Sequence, residues 1–154
     1  MRKVCSLLLC VVVFLSVFTA CSTTTNRSYT FNVSTGDAVA VSMPDTDGYS
    51  ISPSNTDGIT FEIKGEDKSV QTAGGVFLDS ITGHNMALEI KSSGTAYSHK
   101  NIKDCYEYTY NDGTNDIIGF IGIVSDKTYV LVNYNCDKAL AEKLFNVLSF
   151  SVEK

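Results

Sequence analysis

Apolar and polar residues alternate along this chain in short runs, broken by turn-forming residues. Val4 to Ala20 is an uncharged block built mostly of Val, Leu and Phe. Val39 and Val41 then alternate with Ala38, Ala40 and Ser42, and Pro44 stops the run because proline cannot donate to a strand ladder. Tyr49 and Ile51 form a patch before Pro53, and Asn55-Thr56-Asp57-Gly58 signals a turn. Thr60-Phe61-Glu62-Ile63-Lys64 alternates cleanly, with Phe61 and Ile63 facing inward.

Gly74-Gly75 opens a different segment. Val76, Phe77, Leu78 and Ile81 predict a short helix near residues 75–82, ended by Gly83. Met86, Leu88 and Ile90 alternate and predict a strand. Residues 91–104, with Ser92, Ser93, Gly94, Lys100 and Asn101, predict a long surface loop.

The C-terminal third carries the clearest pattern. Tyr106, Tyr108 and Tyr110 alternate with Glu107 and Thr109, and Asn111-Asp112-Gly113 turns the chain. Ile117 to Val124 is nearly all apolar, the signature of a central strand covered on both faces. After Ser125-Asp126, Thr128 to Tyr134 predicts another buried strand. Residues 106–134 therefore predict a three-stranded antiparallel meander. A helix follows over residues 137–148, its core stripe marked by Leu140, Leu144, Val147 and Leu148. The fold class is α+β: an antiparallel β-sheet with the C-terminal amphipathic helix packed on one face.

Length and charge narrow the possibilities. The chain has 154 residues, 44% of them hydrophobic and 19% charged, which suits one domain with its own core. Arg2 and Lys3 account for two of the twelve bases, so the rest holds ten against seventeen acids, a balance of −7. Nucleic acid is excluded as a partner, since affinity for it comes from neutralising phosphates. Electrostatic docking on anionic lipid is disfavoured for the same reason.

The N-terminus adds a location. Met1, Arg2 and Lys3 precede the apolar block, which ends in Val17-Phe18-Thr19-Ala20-Cys21-Ser22. Small residues directly before a cysteine suit a signal peptidase pocket. This segment resembles a bacterial lipoprotein signal with a lipobox at residues 17–21, although Phe18 stands where that family usually has Leu. The resemblance implies cleavage after Ala20 and a diacylglycerol on the Cys21 sulfur. Residues 1–20 are then a signal peptide, residues 21–29 a flexible polar tether, and residues 30–154 a single α+β domain. The expected location is the extracytoplasmic face of the cell membrane, or the outer membrane if the source has one, with the lipid bilayer as partner through acylated Cys21.

Two further features resemble the PsbP-like fold, an antiparallel sheet flanked by helices. One is Val41-Ser42-Met43-Pro44 followed by Gly48-Tyr49; the other is the amphipathic helix ending in Ser149-Phe150-Ser151-Val152 after a buried hairpin. That resemblance spans residues 30–152. It implies a non-catalytic binding or accessory domain at a membrane and carries over no site residues.

Catalytic motifs are sparse. His84 and His99 are the two histidines, neither has a cysteine nearby, and there is no Gly-x-Ser-x-Gly elbow. No His-Glu-x-x-His or paired Cys-x-x-Cys supports a metal, and no glycine loop supports a nucleotide, so neither metal nor cofactor is expected. Asp45-Thr46-Asp47-Gly48 begins like a calcium loop but has Thr56 where the closing glutamate belongs, and Asp112, Thr114 and Asp116 read as turn residues. The candidate ligand-binding residues are Tyr97, Tyr106, Tyr108 and Tyr110, whose flat rings and hydroxyl groups suit a binding platform. Cys105 and Cys136 lie at opposite ends of the meander, so no disulfide is expected between them.

The leading reading is a membrane-tethered envelope lipoprotein acting as a binding or accessory module for an envelope protein or other ligand. The alternatives are an envelope hydrolase using an acidic residue with His99, and a structural surface protein.

Overall fold

The computed structural model describes residues 25–44, 48–54, 60–65 and 73–153. The expected signal peptide and Cys21 lie outside the described residues, as do Asp45, Thr46, Asp47 and the Asn55–Gly58 turn signal.

Ten strands and two helices are described: β1 (Asn26–Asn32), β2 (Ala38–Pro44), β3 (Tyr49–Pro53), β4 (Thr60–Gly65), β5 (Ala73–Asp79), α1 (Ser80–Ser93), β6 (Thr95–Tyr97), β7 (Lys103–Asn111), β8 (Asp116–Ile123), β9 (Thr128–Tyr134), α2 (Lys138–Val147) and β10 (Ser149–Glu153). They form a three-stranded sheet, β1-β2-β10, and a seven-stranded sheet, β3-β4-β5-β9-β8-β7-β6. Every pairing is antiparallel. The class is α+β, and the expected meander is the β7-β8-β9 part of the larger sheet.

The larger sheet is covered on both faces. On one face Phe61, Phe77, Phe120, Val130 and Val132 share a buried cluster with Phe31, Val39 and Val41 of the small sheet and with Ala141, Leu144 and Phe145 of α2. Phe31 sits 5.9 Å from Phe61 and 5.6 Å from Phe77, ring centre to ring centre, which joins the two sheets through aromatic contact. Phe145 stacks on Phe120 at 4.1 Å. On the opposite face Ile121, Tyr129 and Leu131 pack with Ala87 of α1.

Three local expectations are corrected. The helix near residues 75–82 is strand β5 up to Asp79, because Val76 and Leu78 face α1 while Phe77 faces the opposite core. A central strand buried on two faces reads as a continuous apolar run, which does not distinguish it from a helix. The strand expected from Met86, Leu88 and Ile90 is the second half of α1. Asp79 caps this helix, accepting from the amides of Ile81 at 2.9 Å and Thr82 at 3.0 Å. The loop expected over residues 91–104 is shorter, because α1 runs to Ser93 and β6 occupies Thr95–Tyr97.

α1 packs through small residues. Gly83 and Ala87, one turn apart, are its buried positions. A Cβ on Gly83 would overlap the Tyr129 ring, so glycine lets the helix lie directly on the sheet. At the other end of the fold, Asp137 caps α2 by accepting from the Leu140 amide at 3.0 Å. β1 begins at Asn26, inside the segment expected to be tether. Tyr29 packs partly buried against the main core.

Candidate functional site

Alternation along β7 determines where the tyrosines go. Tyr106, Tyr108 and Tyr110 are paired with Ile121, Gly119 and Ile117 of β8, on the face that carries α1. Tyr108 lies over Gly119, where any side chain would collide with its ring. Its hydroxyl donates to Asn133 Oδ1 at 2.8 Å, and burial pushes the phenol well above its ordinary value. Tyr110 stacks beside it at 6.0 Å and is 43% exposed. Tyr106 lies under the Lys91 ammonium, 5.7 Å from its ring centre.

Tyr97 does not join them. It pairs with Cys105, whose side chain is buried in the core shared with α2, so it projects from the other face of the sheet. Its ring meets Phe120 edge-on at 4.9 Å and Phe145 at 5.8 Å. Desolvation raises its phenol, with a hydrogen bond to Asn146 opposing the shift. Next to this core, buried Glu107 accepts from Lys138, which holds that ammonium above its ordinary value. Tyr97 thus belongs to the packing of α2.

α1 starts beside the end of β5 and crosses the tyrosine face toward β6. It leaves an open groove on each flank. One groove, of about 310 Å³, is floored by Tyr108, Tyr110, Leu131 and Asn133 and walled by Met86, Glu89 and Ile90. The other, of about 360 Å³, lies between His84, Ala87, Leu88 and Lys91 of α1 and Asp104, Tyr106, Ile123 and Tyr129 of the sheet. Both are at the small end of the range for ligand pockets, about 300–1,000 Å³. Outward from these grooves α1 exposes Ile81 and Leu88, 74% and 53% accessible. These two lie seven residues apart, on one side of the helix.

The second groove contains residues that the sequence patterns did not single out. β7 carries one extra residue between Lys103 and Tyr106, a β-bulge. Asp104 sits in it with φ of 45°, the left-handed region that non-glycine residues seldom occupy. The bulge keeps Cys105 buried while Asp104 stands at the groove. The nearby carboxylate contributes to raising the Tyr129 phenol, after desolvation.

His99 is engaged elsewhere. Its Nδ1 accepts from the Asn101 amide at 3.2 Å, so Nε2 carries the hydrogen and donates to the Phe145 carbonyl at 3.1 Å. Burial between Phe145 and Phe150 lowers its pKa, which favours the neutral ring. Both ring nitrogens are occupied by backbone. Asp112 accepts from the amides of Thr114 and Asn115, each at 2.8 Å, which makes it a turn-forming side chain. Among the described residues no cluster of three or more His, Cys, Asp or Glu side chains is arranged to hold a metal ion. Among them, too, no helix is long and apolar enough to cross a membrane.

The fold and its grooves define a small antiparallel α+β domain with one helix laid over a tyrosine-bearing sheet face. No protein-family model, no curated protein and no solved structure matches the chain.

Proposed function

We propose that this chain is a lipid-anchored, extracytoplasmic accessory module of a bacterial cell envelope, and that it binds its ligand or partner on the α1 face of the larger sheet. The observation carrying the binding reading is the pair of grooves flanking α1, with Tyr106 in one and Tyr108 and Tyr110 in the other. Tyrosine rings offer large, stiff contact area at small entropic cost. Exposed Ile81 and Leu88 extend the same face.

The anchoring reading rests on the lipobox at residues 17–21 and on Cys21 as acyl acceptor. Two acyl chains hold a protein stably on a bilayer, where one is marginal. β1 begins at Asn26, five residues after Cys21, so the domain starts close to the proposed anchor in sequence. The PsbP-like reading rests on Val41-Ser42-Met43-Pro44 with Gly48-Tyr49 and on the C-terminal helix ending in Ser149-Phe150-Ser151-Val152. The hydrolase alternative gains nothing from His99, whose nitrogens are engaged.

Two measurements test the proposal. Cys21→Ala is expected to abolish the acylated mass and release the protein from the membrane fraction; full membrane retention with an acylated mass overturns the anchor. A photo-crosslinking side chain at Tyr110 is expected to give a discrete adduct in cells, and one at Thr30 on the small sheet is expected to give none. Equal adducts from both, or none from Tyr110, overturn the binding face.

A further inference from the structure

We infer that the groove between α1 and the β7 bulge is a binding site for a small zwitterion, a free amino acid or short peptide with an apolar side chain. The inference rests on the binding-module reading and assigns a ligand class to one of its grooves.

The chemistry is asymmetric across the groove. The helix wall carries the Lys91 ammonium, and the sheet wall carries the Asp104 carboxylate. Among the described residues neither has a salt-bridge partner. The rest of the lining is Ala87, Leu88, Ile123 and the rings of His84, Tyr106 and Tyr129. A ligand that complements this arrangement has a carboxylate near Lys91, an ammonium near Asp104 and an apolar body between them. A purely apolar ligand leaves both charges unused. A simple anion meets Asp104, and a simple cation meets Lys91.

Asp104 carries the argument furthest. A regular strand has no reason to hold an aspartate at φ of 45°. Such strain persists where surrounding structure enforces it, and it concentrates at ligand sites. The bulge here is enforced from behind by Gly122, whose missing side chain leaves room for Ile102 and the Cys105 backbone. Lys91 is placed by its contact over Tyr106. The volume of about 360 Å³ suits an amino acid or a dipeptide.

The test is calorimetric titration of the full-length lipidated protein in detergent with four probes: leucine, leucyl-glycine, N-acetyl-leucine and leucinamide. Saturable one-to-one binding of leucine or leucyl-glycine is expected, and the tighter of the two identifies the source. N-acetyl-leucine lacks the ammonium and leucinamide the carboxylate, and each is expected to bind about tenfold more weakly, the loss of one charge-assisted contact. Asp104→Asn is expected to weaken the zwitterion about tenfold and leave N-acetyl-leucine unchanged. Asparagine tolerates the left-handed conformation, so the bulge is retained, and an unchanged melting temperature verifies this. Lys91→Met is expected to do the same with leucinamide as the insensitive probe. Absence of saturable binding overturns the inference, as does binding indifferent to both substitutions. If no probe binds while the Tyr110 crosslink persists, the zwitterion assignment falls and the binding-module reading stands; loss of both removes both.

Discussion

Thr128 donates its hydroxyl to Asp37 Oδ2 across 2.7 Å, although the two residues are 91 positions apart. Ser125 donates to the same oxygen, and Thr35 lies 2.6 Å from the Thr128 hydroxyl. The turn after β1 is thereby fastened to the turn before β9, one from each sheet. Thr128 is fully buried, so its hydroxyl needs these partners.

That fastening makes stability sensitive to acid. Hydrogen bonds from Ser125 and then Thr128 hold the Asp37 carboxyl below its ordinary value of 3.8. A carboxylate with a lowered folded pKa contributes fully above its unfolded pKa, and the contribution is lost as pH falls through the folded one. The urea midpoint is therefore expected to drop below about pH 4, and Asp37→Asn to flatten that part of the profile. An unchanged slope in the variant would assign the acid sensitivity to other carboxylates such as Asp79 and Asp112, which are also lowered.

His99 sets a second, higher window. Burial lowers its pKa below 6.5, so protons bind the unfolded chain more readily than the folded one. Stability from the neutral ring is complete above 6.5 and falls as pH drops toward the lowered value. His99→Gln is expected to lower stability at neutral pH and to remove the pH dependence between the two values. A variant whose denaturation profile keeps the wild-type slope in that window contradicts the buried neutral ring.

Gly83→Ala sets two effects against each other. Alanine is favoured over glycine by about 1 kcal/mol within a helix. The new methyl overlaps the Tyr129 ring, and overpacking costs about 1–3 kcal/mol. The expected outcome is a net loss of up to about 2 kcal/mol in chemical denaturation, with α1 displaced from the sheet. A gain in stability means the helix does not lie where Gly83 places it.

The two domain cysteines are free, Cys105 buried and Cys136 partly so. Burial pushes their thiols up to about 12 and about 11, respectively. Tyr134 stands level with Thr109 across β8, four residues or about 13 Å along β7 from Cys105. A chain beginning at Ser22 should titrate two thiols in denaturant without reductant. In the folded state Cys136 should react slowly and Cys105 only on unfolding. Finding no titratable thiol demands a disulfide and a different strand order.

Much of the C-terminal half was legible along the chain. The runs Ile117–Val124 and Thr128–Tyr134 are short, rich in β-branched and aromatic residues and bounded by the turn signals Asn111-Asp112-Gly113 and Ser125-Asp126, which marks them as buried strands, and Asp137 before a stripe of leucines marks a helix start. α1 was not legible, because Gly83 and Ala87 carry almost no hydrophobic signal while the conspicuous Leu88 points outward. Asp79 followed by a helix closed at Gly94, whose amide bonds the Ile90 carbonyl at 2.6 Å, was the available clue.

The candidate site divides in the same way. Period-two alternation alone placed Tyr106, Tyr108 and Tyr110 on one face, because successive side chains of a strand point to opposite sides. Nothing in that alternation reaches across a chain reversal, so the separation of Tyr97 from the other three depended on its pairing with Cys105. The bulge at Asp104 likewise exists only as a register difference between β7 and β8. Local pattern determined the three strands of the meander and which face each side chain takes within its own strand. Strand pairing and the course of α1 decided which faces meet, because those depend on contacts between residues far apart in the chain.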